Sequence, residues 1–186
     1  MAKYRNNYKD FTWDRLYTDP MKQMRHDLRY NASKENLMLK AAEYHDLQTI
    51  KAIFSNRNCD HEVKIAVFKC NNETIRYQIV NELYQKLDSE TETIIAYDRS
   101  IPVRRSLADK TTNQGVLLLL LRSPEKTDNK EIKIICCQKI NIRENLGRIK
   151  IFLKKVSNVP YFKEYVDALL RNPKITEEDI KELLTD

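Results

Sequence analysis

The sequence predicts an all-α protein, and three observations carry that reading: helical spacing of apolar residues, recurrent helix-start signals and a scarcity of glycine. Gly115 and Gly147 are the two glycines among 186 residues, which removes most of the positive-φ positions that tight hairpins and phosphate-cradling loops demand. From Ser33 onward, apolar residues recur in steps of three and four, as in Leu37, Leu39, Ala41, Ala42, Leu47, Ile50 and Phe54, and strand-like alternation never persists. Charged residues make up 32% of the chain, yet Leu, Ile and Val recur throughout, so a packed core is expected rather than disorder.

The elements follow in order. Pro20 interrupts the N-terminal segment, with a short helix expected on either side. Ser89 stands three residues before Glu92 and Asp128 three before Glu131, each pair able to satisfy a helix start reciprocally. Thr176 and Asp179 repeat the arrangement, with Ile175 and Ile180 placed as a hydrophobic staple. The apolar run 116–121 is far shorter than the roughly 20 residues needed to cross a bilayer, and is expected to be a buried helix core with no membrane role. The residues 85–89 and the pair Gln114-Gly115 interrupt the helical rhythm.

This length suits one domain with an extension: an N-terminal arm, residues 1–31, and a single helical domain, residues 32–186. In the arm, Tyr4, Tyr8, Phe11, Trp13, Tyr17 and Tyr30 are interleaved with seven Lys and Arg, offset by four aspartates to a net +3. The start of the chain is polar and aromatic, so no signal peptide is expected. Cys59, Cys70, Cys136 and Cys137 lack the density of a disulfide scaffold, which points to the cytoplasm and to thiols acting as small buried residues. Cys59, His61 and Cys70 match no zinc spacing, Cys70 is expected inside a helix, and the adjacent Cys136 and Cys137 point to different helix faces. His26 and His45 have no triad around them, and two glycines exclude a Walker loop or dinucleotide fingerprint. No catalytic residue, metal or cofactor is expected.

Three segments superpose, at residues 60–67, 100–107 and 129–136. Each opens on a capping residue (Asp60, Ser100, Asn129), followed three positions on by a β-branched residue (Val63, Val103, Ile132) and then a base (Lys64, Arg104, Lys133). The first two add a small residue, Ala66 or Ser106. Degenerate copies surround Leu37 and Val166, giving ragged intervals of 26, 40, 29 and 34 residues. The pattern resembles the second helix of HEAT-like repeats, and the Asn172-Pro173 link before a further helix resembles the leucine-rich-repeat-variant family. The resemblance implies an irregular α-solenoid of about three to five repeats; a generic helical bundle is the alternative.

Charge is concentrated. Residues 1–31 carry +3, 32–100 carry −2, 101–155 carry +8 and 156–186 carry −3. Stacked in register, Lys64, Arg104 and Lys133 would form a ladder, with Arg105, Lys130, Lys139, Arg143, Arg148 and Lys150 near it. The ladder has two readings: a surface for an acidic partner or a phosphate backbone, or, as in HEAT-like repeats, an internal brace to neighbouring caps. The arm likewise either stacks nucleic-acid bases or caps the first repeat, the role favoured for Phe11 and Trp13. The expected function is non-enzymatic protein–protein binding through residues 101–155, with DNA or RNA binding as the alternative. The resemblance further implies a third possibility, a HEAT-like DNA glycosylase drawing on Trp13, Asp98 and Arg104.

Overall fold

A computed structural model describes residues 19–123 and 129–184. Phe11 and Trp13, for which a capping role was expected, and Asp128 lie outside the described residues. The described chain is all-α, with no strand among its residues, and divides into two compact units, the first ending at Ile75 and the second beginning at Arg76.

The first unit holds α1 (Pro20–Tyr30), α2 (Lys34–Glu43), α3 (Leu47–Phe54) and α4 (His61–Cys70). Alternate helices pack together, α1 on α3 and α2 on α4. Leu37, Ala41, Ile50, Ile53, Val63 and Val67 are fully buried between them. Each start is built from a carboxylate or hydroxyl accepting first-turn amides: Asp19 from Met21, Ser33 from Asn36, Asp46 from Thr49, Asp60 from Val63. Pro20 occupies the first turn of α1, where a missing N–H costs nothing. The apolar run that reads as continuous from Leu37 to Phe54 is two helices, because Asp46 caps a new start; Leu39 lies on the side of α2 away from the buried Leu37 and Ala41 and is 57% exposed.

Helix α5 (Glu73–Leu83) leads into the second unit, which continues with a 3-10 turn at Tyr84–Lys86, α6 (Ser89–Ala96), α7 (Ile101–Lys110), α8 (Gln114–Leu121), α9 (Lys130–Lys139), α10 (Ile142–Val156), α11 (Phe162–Leu170) and α12 (Glu177–Leu184). Again alternate helices pack, α6 on α8, α7 on α9, α9 on α11 and α10 on α12, and the consecutive pairs α6–α7 and α8–α9 pack as well. The run 116–121 is the core of α8, with Val116, Leu117, Leu118, Leu120 and Leu121 buried. Gln114-Gly115 opens that helix: the Asn113 side chain accepts from both Gly115 and Val116, and a Cβ on Gly115 would sit 3.3 Å from its oxygen. Two starts differ in detail from the sequence expectation. Asp88 rather than Ser89 caps α6, accepting from the Thr91 amide. Asn129 stands at the start of α9 but makes no side-chain capping bond there. Thr176 and Asp179 do form the reciprocal pair.

Helix C-termini present four carbonyls without intrahelical partners, and a left-handed glycine often closes them. Here no described residue has positive φ. At the ends of α1 and α9, side chains from just beyond the next-but-one helix do this work. Asn56, two residues beyond α3, donates Nδ2 to the carbonyls of Leu28 and Ala32 at the end of α1, at 2.6 and 3.3 Å. Asn172, two beyond α11, donates to Cys137 and Ile140 at the end of α9, both at 2.8 Å. Each amide oxygen accepts the N–H two residues on, from Asn58 and Lys174. Both side chains are buried, so the bonds have no competing water.

Two outcomes are expected. Asn172→Asp replaces a donor with a charge facing two carbonyls, and should lower stability by about 3 kcal/mol or more, against about 1–3 for Asn172→Ala, in urea unfolding followed by circular dichroism. In the first unit, hydrogen bonding to Lys34 holds the Asp60 carboxyl below its ordinary value. Burial pushes Asp46 up, but bonds from Thr49 and the Arg25 charge outweigh it and the net direction is down. A depressed carboxylate stabilises the fold above its unfolded pKa, about 3.9, and that contribution is lost as pH falls through the folded value. The urea midpoint should therefore drop as the solution is acidified below about pH 4, and less steeply in Asp60→Asn, which keeps the capping oxygen.

Candidate binding surface

The nine bases singled out by sequence divide into two groups. Lys64 belongs to the first unit, half-buried on α4 directly after the fully buried Val63. The others lie in the second unit, and most of them reach inward or sideways. Arg104 on α7 donates Nη2 to Asn129 Oδ1 at 2.7 Å and Nη1 to the Asp98 carbonyl. It thereby takes the oxygen that would otherwise cap α9. Lys133 is 2% exposed, and its ammonium lies 5.8 Å from the centroid of the Phe152 ring on α10. Lys139 donates to the Ala108 and Asp109 carbonyls at 2.7 and 2.8 Å, closing the C-terminus of α7; partial burial lowers its pKa. Lys130 pairs with Glu164 at 2.6 Å and lies over the Tyr161 ring, and Arg105 reaches Glu131 at 2.5 Å across an exposed surface.

Arg143, Arg148 and Lys150 lie on α10, along with Lys154 and Lys155, which the sequence reading did not single out. Asn141 caps this helix through the Glu144 amide. Ile142, Asn145, Ile149, Phe152 and Val156 form its buried stripe, a three-and-four spacing that places Arg143, Gly147, Ile151 and Lys154 on the opposite side. All four are exposed, Ile151 at 70%. Arg148 and Lys155 are exposed on one flank, and Arg148 also donates to Asn145 Oδ1 at 3.3 Å. The periodicity of residues 142–156 contains this face, but the charge split alone did not separate its bases from those that brace the interior.

A groove of about 590 Å³ opens where α6 and α8 end and α7 and α9 begin, lined by Tyr97, Arg99, Arg104, Leu119, Arg122 and Asn129 among others. Tyr97 is 70% exposed. The carboxylate beside it, Asp98, is engaged elsewhere: its two oxygens accept from Arg76 Nε and Nη2 at 2.7 and 3.0 Å, and Oδ1 also accepts the Ser100 amide. Both partners are nearly buried, at 7% and 6% side-chain exposure. Asp98 occupies the place past α6 that Asn56 and Asn172 take past α3 and α11.

The cysteines take three environments. Cys136 and Cys137 are both fully buried despite being adjacent, and burial drives both thiol pKa values up, Cys137 to about 12. Cys59 is half-buried, whereas Cys70 ends α4 and is exposed, not interior to it. No cluster of three or more potential metal ligands occurs among the described residues. Nor is any described helix long and apolar enough to cross a membrane.

Comparison with family models, curated proteins and solved structures gives no match to this chain. Arg76→Met should destabilise the second unit by about 3–5 kcal/mol, because it leaves a buried carboxylate unpaired. The double variant Arg76→Met/Asp98→Asn should lose less than the sum of the single changes in the same urea titration.

Proposed function

We propose that this chain is a non-enzymatic helical-repeat binding module, an irregular α-solenoid of HEAT-like character that holds an acidic protein partner through the third quarter of its sequence. The repeat reading is supported inside each unit by alternate-helix packing and by the recurring closure of one helix end from the next helix but one, at α1 from α3, α7 from α9 and α9 from α11. The equivalent buried positions are Leu37 and Val63 in the first unit, and Val103, Ile132 and Tyr165 in the second. Tyr165 stands one residue before the Val166 expected from sequence.

The observation that carries the binding role is the outward charge of α10. Lys133, Lys139 and Arg104 serve the interior, whereas Arg143, Arg148, Lys154 and Lys155 face out with Glu144 as the sole acid on that helix. Such a face attracts acidic surfaces and loses attraction as salt screens it. A second reading, nucleic-acid binding, is favoured by the groove at Tyr97, where an exposed ring stands beside Arg99, Arg104 and Arg122, the pairing of stack and cation that single strands use.

The two readings separate by fluorescence anisotropy with labelled polyglutamate and labelled single-stranded and duplex DNA. Polyglutamate should bind with salt-sensitive affinity, and Arg148→Glu/Lys155→Glu should weaken it by about tenfold or more. Tighter binding of DNA, abolished by Arg99→Glu/Arg122→Glu and indifferent to the α10 changes, would replace this reading with the second.

A further inference from the structure

We infer that the outward face of α10 docks an acidic amphipathic helix, whose backbone passes close over Gly147 and whose apolar stripe covers Ile151. The inference rests on the proposed acidic-partner reading and specifies the partner's form. It begins from a residue the unit itself does not explain. Gly147 lies in the interior of a fifteen-residue helix, where glycine costs about 0.5–1 kcal/mol relative to alanine. Its φ is negative, so no special backbone conformation requires it. A Cβ built there meets nothing within 4 Å, so no packing inside the unit requires it either. What a missing Cβ does provide at that position is room on the solvent side for another backbone to come close.

One turn further along the same line stands Ile151, 70% exposed, an aliphatic side chain with most of its surface in water. Burying it against an apolar partner is favourable by about 25 cal/mol per Å² removed from water. Most neighbours on this face are cationic: Arg143, which also meets the Asp179 charge on α12, one turn before Gly147, Lys154 three residues after Ile151, and Arg148 and Lys155 along one flank, with the exposed Glu144 as the one acid on α10 beside them. The face thus has a low centre, one apolar contact point and a basic rim, which is the arrangement of an interface with an apolar core and polar edge. A helix bearing a leucine stripe bordered by glutamates complements all three features, and ridge-in-groove packing allows interaxial distances of about 8–10 Å, shortest where the contact residue is small. A phosphate backbone would satisfy the rim but has no group to cover Ile151.

The test uses the full chain and two labelled synthetic peptides of identical glutamate and leucine content, one ordered as an amphipathic helix and one scrambled to destroy the stripe, with duplex DNA as a third probe. By fluorescence anisotropy at low salt, the helical peptide should bind at least about tenfold more tightly than the scrambled one. Gly147→Leu should weaken it by a similar factor while leaving the melting temperature unchanged or raised, which separates loss of binding from loss of fold. Ile151→Ala should weaken it several-fold. Equal binding of the two peptides, both lost in Arg148→Glu/Lys155→Glu, would retain the acidic-partner reading and overturn the helix-docking inference. Failure of both peptides to bind, or duplex DNA displacing the helical peptide from this face, would overturn both.

Discussion

The structure depends on how its helix ends are closed. Twelve short helices among the described residues leave many terminal carbonyls, and no described residue is left-handed to turn the backbone back on them. At three of these ends carbonyls are bound by side chains arriving from the next helix but one: Asn56 on α1, Lys139 on α7, Asn172 on α9. This adds directional bonds at helix ends to the apolar packing that joins the helix middles. It also assigns buried polar side chains a definite geometry, since an unsatisfied amide or ammonium at those sites would cost about 1–3 kcal/mol or more.

That constraint explains why the positive charge of residues 101–155 does not act as one surface. Lys139 is drawn to the end of α7 and Arg104 to the end of α6 and the start of α9. Lys133 lies within the packing of α9 against the Phe152 ring. Charge that looks like a ladder in sequence is in part the mortar between helices. The surplus is left on α10, whose buried stripe is narrow and whose opposite side is basic, open at Gly147 and apolar at Ile151.

Much of the fold was legible because capping chemistry is local. Asp60, Ser100, Thr176 and Pro20 announce their helices within four residues, and Val63, Val103 and Ile132 fill the buried positions that spacing assigns them. What escaped depends on contacts distant in sequence. The break at Asp46 is hidden because apolar steps of three and four persist across it. Asp88 carries the α6 cap one residue before the serine that the pattern favours. Asn56, Asp98 and Asn172 look like ordinary loop residues until their partners 24 or more residues away, or the Arg76 guanidinium, are seen to meet them. The division of bases into inner and outer sets is of the same kind: Lys139 and Lys155 are indistinguishable as letters, and only the position of α7 separates them.

The most direct measurement of this account is the acetylation rate of individual lysines in the native chain, followed by mass spectrometry at neutral pH. Lys133 and Lys139 should be strongly protected, while Lys154 and Lys155 should react as rapidly as lysines in an unfolded peptide. Uniform reactivity across the four would contradict it, because the inner cations would then not be holding the helices together.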